Sequence, residues 1–160
     1  MSEKSTGTTS YTLHPIGTVH RLDSSVELHI KPEYRPALAT LDKFSHVIVL
    51  WWVNGMDTEE YRSKLQCRPP YAAEHLTGVF ACRAEYRPNP IALTPCKILG
   101  IDEEKGIIRI ANIDALDGSP LLDLKAYFPV MDRVQDPHIP DWLEGWPEWL
   151  PDGGIGLEYD

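Results

Sequence analysis

The sequence is poor in the features that would mark it as secreted, zinc-bound or membrane-embedded. Its three cysteines, Cys67, Cys82 and Cys96, are odd in number, lie 15 and 14 residues apart and include no Cys-x-x-Cys pair. That excludes a secreted disulfide framework and the usual zinc spacing. The six histidines are scattered with no His-x-x-x-His arrangement, so no metal is expected. No run approaches the ~20 apolar residues of a bilayer span, and Met1 to Ser10 is polar and Ser/Thr-rich, without the apolar stretch of a signal peptide. The expectation is a soluble, cytoplasmic protein. Gly-x-Gly-x-x-Gly, Walker and Gly-x-Ser-x-Gly patterns are missing too, which removes the common dinucleotide, nucleotide and hydrolase readings. Basic charge is also scarce, at 15 Lys plus Arg against 24 Asp plus Glu. Seven of the acids lie between Asp136 and Asp160, a stretch without Lys or Arg, so residues 1 to 135 carry 17 acids against all 15 bases. The body is nearly neutral and the tail acidic.

With 160 residues, 42% of them hydrophobic, the chain suits one domain, able to bury roughly 70% of its unfolded surface without staples. Alternation at Val26, Leu28 and Ile30, and at Ile108, Ile110 and Ile113 after a slip of one, has the period of half-buried strands. Thr12 to Val19, Val47 to Val53, Gly78 to Cys82, Leu93 to Ile101 and Leu121 to Tyr127 complete about seven expected strands. Asp102 to Gly106 reads as a hairpin loop, and helix is expected only as short pieces at Glu33 to Leu41 and Thr58 to Leu65. The fold class is mainly β, with a small barrel hiding the strand edges. Its expected bounds are residues 11–135, preceded by an unstructured segment 1–10. An acidic, Trp-rich tail over 136–160 is expected to pack on the barrel.

Two segments carry chemistry. In Phe80 to Pro95, Pro88 and Pro90 fix the backbone on either side of Asn89, holding its amide at low entropic cost. Arg83 and Arg87 are a possible clamp for a carboxylate or phosphate, or an Arg-Glu surface loop around Glu85. In Asn112 to Tyr127, Asp117 begins an Asp-Gly-Ser-Pro turn, and Asp123, Lys125 and Tyr127 fall on one strand face. That face suits hydrogen bonding to hydroxyl or amine groups, or plain solvation.

Six motifs in register carry a family resemblance. They are Ile16-Gly17-Thr18-Val19; Lys31-Pro32-Glu33-Tyr34 with Ala37-Leu38; Leu41 to His46; Gly78 to Arg83; Arg87-Pro88-Asn89-Pro90-Ile91; and Asp117-Gly118-Ser119-Pro120 leading to Asp123-Leu124-Lys125. From about Tyr11 to Val130 the chain resembles the TrmO or TsaA-like family of S-adenosylmethionine-dependent tRNA methyltransferases. The resemblance implies a small non-Rossmann β-barrel working as a homodimer, with the cofactor near the subunit interface. It also implies methylation of N6-threonylcarbamoyladenosine beside the anticodon of tRNA.

By position, the implied cofactor residues are Asn54, Gly55, Arg83, Arg87, Leu93, Ala111, Asn112, Ile113 and Asp114. Asn89, Asp117, Lys125 and Tyr127 are implied near the methyl donor or the base. Asp117 or Tyr127 is the expected proton acceptor. Ala84 and Glu85 stand where the family usually has Ser-Pro, and Asn54-Gly55 where a His-Gln pair is common. Two other readings remain open: the same cofactor site acting on a small metabolite or another RNA, and a non-catalytic dimeric S-adenosylmethionine-binding module.

Overall fold

Strand-forming alternation in the sequence becomes a barrel. The computed structural model describes residues 9 to 23 and 25 to 154, so most of the segment expected to be unstructured, residues 1–8 of 1–10, lies outside the described residues. The strands are β1 (Gly17–Leu22), β2 (Ser25–Ile30), β3 (His46–Trp52), β4 (Gln66–Cys67), β5 (Thr77–Gly78), β6 (Ile91–Asp102), β7 (Ile107–Ile110) and β8 (Pro120–Ala126). Six of them close in the order β1-β2-β7-β6-β3-β8, and β4 pairs with β5 apart from the barrel. Every pairing is antiparallel. Closure leaves few backbone groups to seek partners elsewhere.

Side chains alternate across each strand, and the inward set forms the core. In β2, Val26, Leu28 and Ile30 are buried while Glu27 and His29 are only half-buried. Leu28 lies opposite Val19 of β1 and Ile108 of β7, and all three are fully buried. Trp51, Val47, Val49, Cys96 and Leu121 extend the same cluster. The β6–β7 hairpin closes at Gly106, whose φ of +71° suits only a residue lacking Cβ. Its N–H donates to the Asp102 carbonyl at 2.8 Å, and its carbonyl accepts from Ile30 N–H at 2.7 Å.

Three local expectations need correction. The strand expected at Gly78 to Cys82 shrinks to the two residues of β5, followed by a 3-10 turn over Val79–Ala81. The Val79 carbonyl accepts from the Arg87 guanidinium instead of a neighbouring strand. The strand expected from Thr12 begins at Gly17. Both short helices form, but shorter than expected: a 3-10 helix over Pro32–Leu38 with Pro36 inside it, and α1 (Glu59–Arg62), N-capped by the Thr58 side chain.

Residues 127–154 form α2 (Pro129–Asp132), a 3-10 turn at Asp141–Leu143 and otherwise irregular chain; the rest of the expected tail, 155–160, lies outside the described residues. Trp142 stacks on His75 with ring centroids 4.6 Å apart, and Trp146 meets the Tyr71 ring edge-on at 5.0 Å. Farther along, Asp152 pairs with Lys97 and the Gly153 carbonyl accepts from Asn112 Nδ2 at 2.6 Å. Among the described residues, no helix is long and apolar enough to cross a membrane, and no three His, Cys, Asp or Glu side chains gather as a metal site.

Candidate functional site

The Pro-Asn-Pro bend is tied to the end of β3. Val53 N–H donates to the Pro90 carbonyl at 2.8 Å, and Ile91 N–H donates to the Asn89 carbonyl at 2.7 Å. Asn89 therefore sits beside the connection that leaves β3, where Asn54 and Gly55 form an exposed 3-10 turn. A cavity of about 910 Å³ opens here, lined by Asn89, Trp52, Arg62, Ile91, Pro120 and Leu122 together with Thr9 to Tyr11, Leu13 and Pro15. Of the residues expected to bind cofactor or act in catalysis, Asn89 alone lines it.

Its polar wall was not foreseen. Arg62 donates through Nη1 to Asp57 Oδ1 at 2.9 Å and through Nη2 to Asn89 Oδ1 at 3.2 Å. Its guanidinium carbon lies 5.9 Å from the centroid of the Trp52 ring, within cation–π range. Trp52 Nε1 donates to the other Asp57 oxygen at 3.0 Å. These two donors, Arg62 first, hold the Asp57 carboxyl below the usual carboxylate range. Trp52, Asp57 and Arg62 lie five residues apart in sequence, a spacing that follows neither helix nor strand period. They meet because the 3-10 turn over Asn54–Met56 carries the chain from the end of β3 back into α1.

The two loop arginines do different jobs. Arg87 is half-buried and donates to the Val79 carbonyl at 2.7 Å and the Ala84 carbonyl at 3.4 Å, bracing its own loop. Arg83 is exposed and makes no hydrogen bond or ion pair among the described residues. In the single chain, then, the two guanidinium groups form no shared clamp, and of the pair Arg83 is the one without a partner among the described residues.

The segment Ala111 to Asp117 is stapled to β1 by Arg21, another contributor the sequence did not reveal. Arg21 Nε donates to the Ala115 carbonyl at 2.7 Å and Nη2 to the Ile113 carbonyl. Arg21 N–H meets Asp117 Oδ1 at 2.8 Å. Gly118, at φ +76°, donates to the Val19 carbonyl at 2.8 Å. Asp117 thus anchors a turn through one carboxylate oxygen. Ala111 N–H reaches the Lys97 carbonyl at 3.0 Å, and Asn112 Oδ1 accepts from Ile113 N–H at 2.9 Å.

Asp114 is exposed, yet close enough to Cys96 to add to the burial that pushes this thiol up to about 12. At about pH 8, on the order of one thiol in ten thousand would then be ionised. Cys96 is expected to resist iodoacetamide in the folded chain and to react on unfolding, as peptide mass mapping would register.

Strand register gathers the remaining residues on the barrel's outer face. Leu50 lies opposite Leu93 on one side and Asp123 on the other, while Ile48 lies opposite Pro95 and Lys125. The register shifts between Leu50 and Trp51, leaving Leu122 as the bulged residue of β8. Lys125 pairs with Asp123 at 2.8 Å, and that hydrogen bond raises the ammonium's pKa. Lys125 therefore stays charged and is unsuited to act as a base. Tyr127 N–H donates to the His46 carbonyl at 3.1 Å, with its ring tilted 6.2 Å from the imidazole.

Comparison with known proteins places this arrangement. Residues 9–133 match the tRNA-methyltransferase O N-terminal domain. A probable S-adenosyl-L-methionine-binding protein of Methanothermobacter thermautotrophicus is 39% identical over 108 residues, covering 68% of this chain and 73% of that protein. The mouse tRNA (adenine(37)-N6)-methyltransferase is 36% identical over 105 residues, 66% of this chain but 23% of the mouse protein. The crystal structure of TrmO from Pseudomonas aeruginosa superposes with a TM-score of 0.63 at 26% identity, covering 81% of this chain and 61% of that one. The match spans every barrel strand, the Pro-Asn-Pro bend and the segment that Arg21 staples, and the chain belongs to the tRNA-methyltransferase O N-terminal domain family.

Proposed function

We propose that the chain is a cytoplasmic S-adenosylmethionine-dependent methyltransferase. Its proposed acceptor is N6-threonylcarbamoyladenosine beside the anticodon of tRNA, and its working form a homodimer. The observation carrying this reading is the rigid Asn89 loop at the rim of a cavity of about 910 Å³, in a chain 36% identical to a tRNA adenine-N6 methyltransferase.

The available donors suit the cofactor chemically. Arg83 offers an unpaired guanidinium for the methionyl carboxylate, exposed Asp114 a carboxylate for the ammonium, and Leu93, 40% exposed, an apolar surface for adenine. Asn54 and Gly55, past the Trp52 end of β3, and the backbone of Ala111 to Ile113, near its His46 end, complete the proposed contacts from the two copies of the homodimer, with Arg87 keeping the loop in shape. The cofactor, when bound, supplies an electrophilic methyl group. Transfer is an in-line displacement, so the protein's task is chiefly to align the acceptor nitrogen ~3–3.5 Å from that carbon. Asn89 orients the base in this reading. Asp117, through its free oxygen, takes the proton directly or through water, or Tyr127 does so from the second copy, since within one chain it lies at the His46 end of β3 and Asn89 beyond the Trp52 end; Lys125 contributes charge rather than basicity.

The deciding experiment gives the purified chain S-adenosylmethionine and tRNA carrying the modified adenosine, then digests the RNA for mass spectrometry. A nucleoside one methyl group heavier is expected. Cofactor binding without that product would shift the assignment to another acceptor, which the acidic stretch after Asp136 favours on electrostatic grounds. No measurable cofactor binding would reduce the chain to a non-catalytic module. Arg83→Ala is expected to weaken cofactor binding at least about tenfold in calorimetry, as the loss of a charged hydrogen-bond donor costs about 1.5–3 kcal/mol; unchanged affinity removes Arg83 from the site.

A further inference from the structure

We infer that Arg62 is the group that recognises a carboxylate on the methyl acceptor, and so selects an amino-acid-modified adenine over adenine itself. The inference rests on the proposed reaction, and deepens it. A guanidinium has five N–H donors in a planar fork. Two of Arg62's are engaged, one by Asp57 and one by Asn89, which leaves three for a ligand in the cavity that Arg62 lines.

The surroundings pre-orient that fork. Asp57 is itself fixed from the other side by Trp52 Nε1, so the arginine side chain is steered by an ion pair and lies near an indole ring before any ligand arrives. Bidentate carboxylate binding gains most where the fork is already in place. Trp52 also lines the cavity, so the same wall offers an aromatic surface to a planar base.

Asn89 makes the recognition consequential. Arg62 holds Asn89 Oδ1 at 3.2 Å, so a carboxylate bound on the three remaining N–H groups lies beside the residue proposed to orient the ring. The amino-acid arm on Arg62 thereby brings the adenine to Asn89, and an unmodified adenosine lacks that anchor.

The test compares binding of the nucleoside N6-threonylcarbamoyladenosine with that of its carboxyl methyl ester, by calorimetry on the full chain. The wild type is expected to prefer the acid at least about tenfold. Arg62→Gln is expected to bring the ratio to within about twofold of one, and Arg62→Lys to leave an intermediate ratio because the charge survives and the fork does not. Thermal melts confirm that both variants fold. Full preference in Arg62→Gln, no preference in the wild type, or no binding of the acid overturns the inference. Failure of the two readings is distinguishable. A wild type that methylates the tRNA without preferring the acid refutes the role of Arg62 alone. One that prefers the acid and methylates nothing refutes the reaction and leaves the carboxylate site standing.

Discussion

Leu28→Ala is expected to lower the stability of the fold by about 3 kcal/mol, within the ~2–5 kcal/mol range of leucine truncations that leave a cavity. For a chain of this size that corresponds to a fall in Tm of roughly 6–12 °C. The magnitude follows from position. Leu28 is fully buried, sits at the centre of β2, and faces Val19 across one seam and Ile108 across the other. Paired strands hold the backbone on both sides, so the surrounding barrel has little freedom to collapse into the space. Leu99→Ala supplies the contrast, since Leu99 is 56% exposed on β6 and its truncation is expected to cost less than about 0.5 kcal/mol. Urea denaturation of both variants measures the difference; equal costs would mean that the barrel interior is not what holds the fold together.

The same position explains why much of the fold was readable. β2 and β7 each have one face in the core and one toward solvent, so burial follows the two-residue period of the pleat and shows directly as Val26-Leu28-Ile30 and Ile108-Ile110. β3 read instead as a continuous apolar run, because outward-facing Ile48 is also buried. Ile113 broke the pattern by one residue for a reason alternation cannot encode. β7 ends at Ile110, and Ile113 enters the core from a loop in which the Asn112 side chain replaces a strand partner. Gly78 to Cys82 misled in the opposite sense: apolar and β-prone, it is held as a turn because a guanidinium eight residues later takes the Val79 carbonyl.

The site divides along the same line. Asn89 was legible because its stiffness is written locally, in two flanking prolines. Arg62, Asp57 and Trp52 were not, since Arg62 meets Asn89 across 27 residues and nothing in the intervening sequence marks that encounter. Arg21 is hidden more deeply still, its guanidinium reaching the Ala115 carbonyl across 94 residues. Side chains that act on distant backbone leave no periodic trace. Arg83 and Arg87, four apart and chemically alike, illustrate the converse: identical residue types in one loop are separated by burial into a brace and a free cation.

Leu93→Glu is expected to convert the proposed homodimer into a monomer. The Ile91–Lys97 half of β6 pairs with β3 alone, and β7 takes over only from Ile98. Pro95, which lacks an N–H, occupies this half, as suits a sheet edge. The outer face beside that edge carries Ile91 and Leu93, 36% and 40% exposed, next to Leu50 and Trp52, an apolar surface that a second copy would cover. Two-fold symmetry would bring the same patch from each subunit together. Placing a carboxylate at Leu93 then introduces two unpaired charges into one desolvated interface, at a cost of at least about 3 kcal/mol, or two powers of ten in the dimer constant. Light scattering coupled to size exclusion is expected to give twice the chain mass for the wild type and the single-chain mass for the variant. Because the side chain points outward, the melting transition of the isolated barrel should change little, which separates lost association from lost folding. A variant that remains dimeric would move the interface away from β3 and β6, and with it the cofactor position assigned to Leu93.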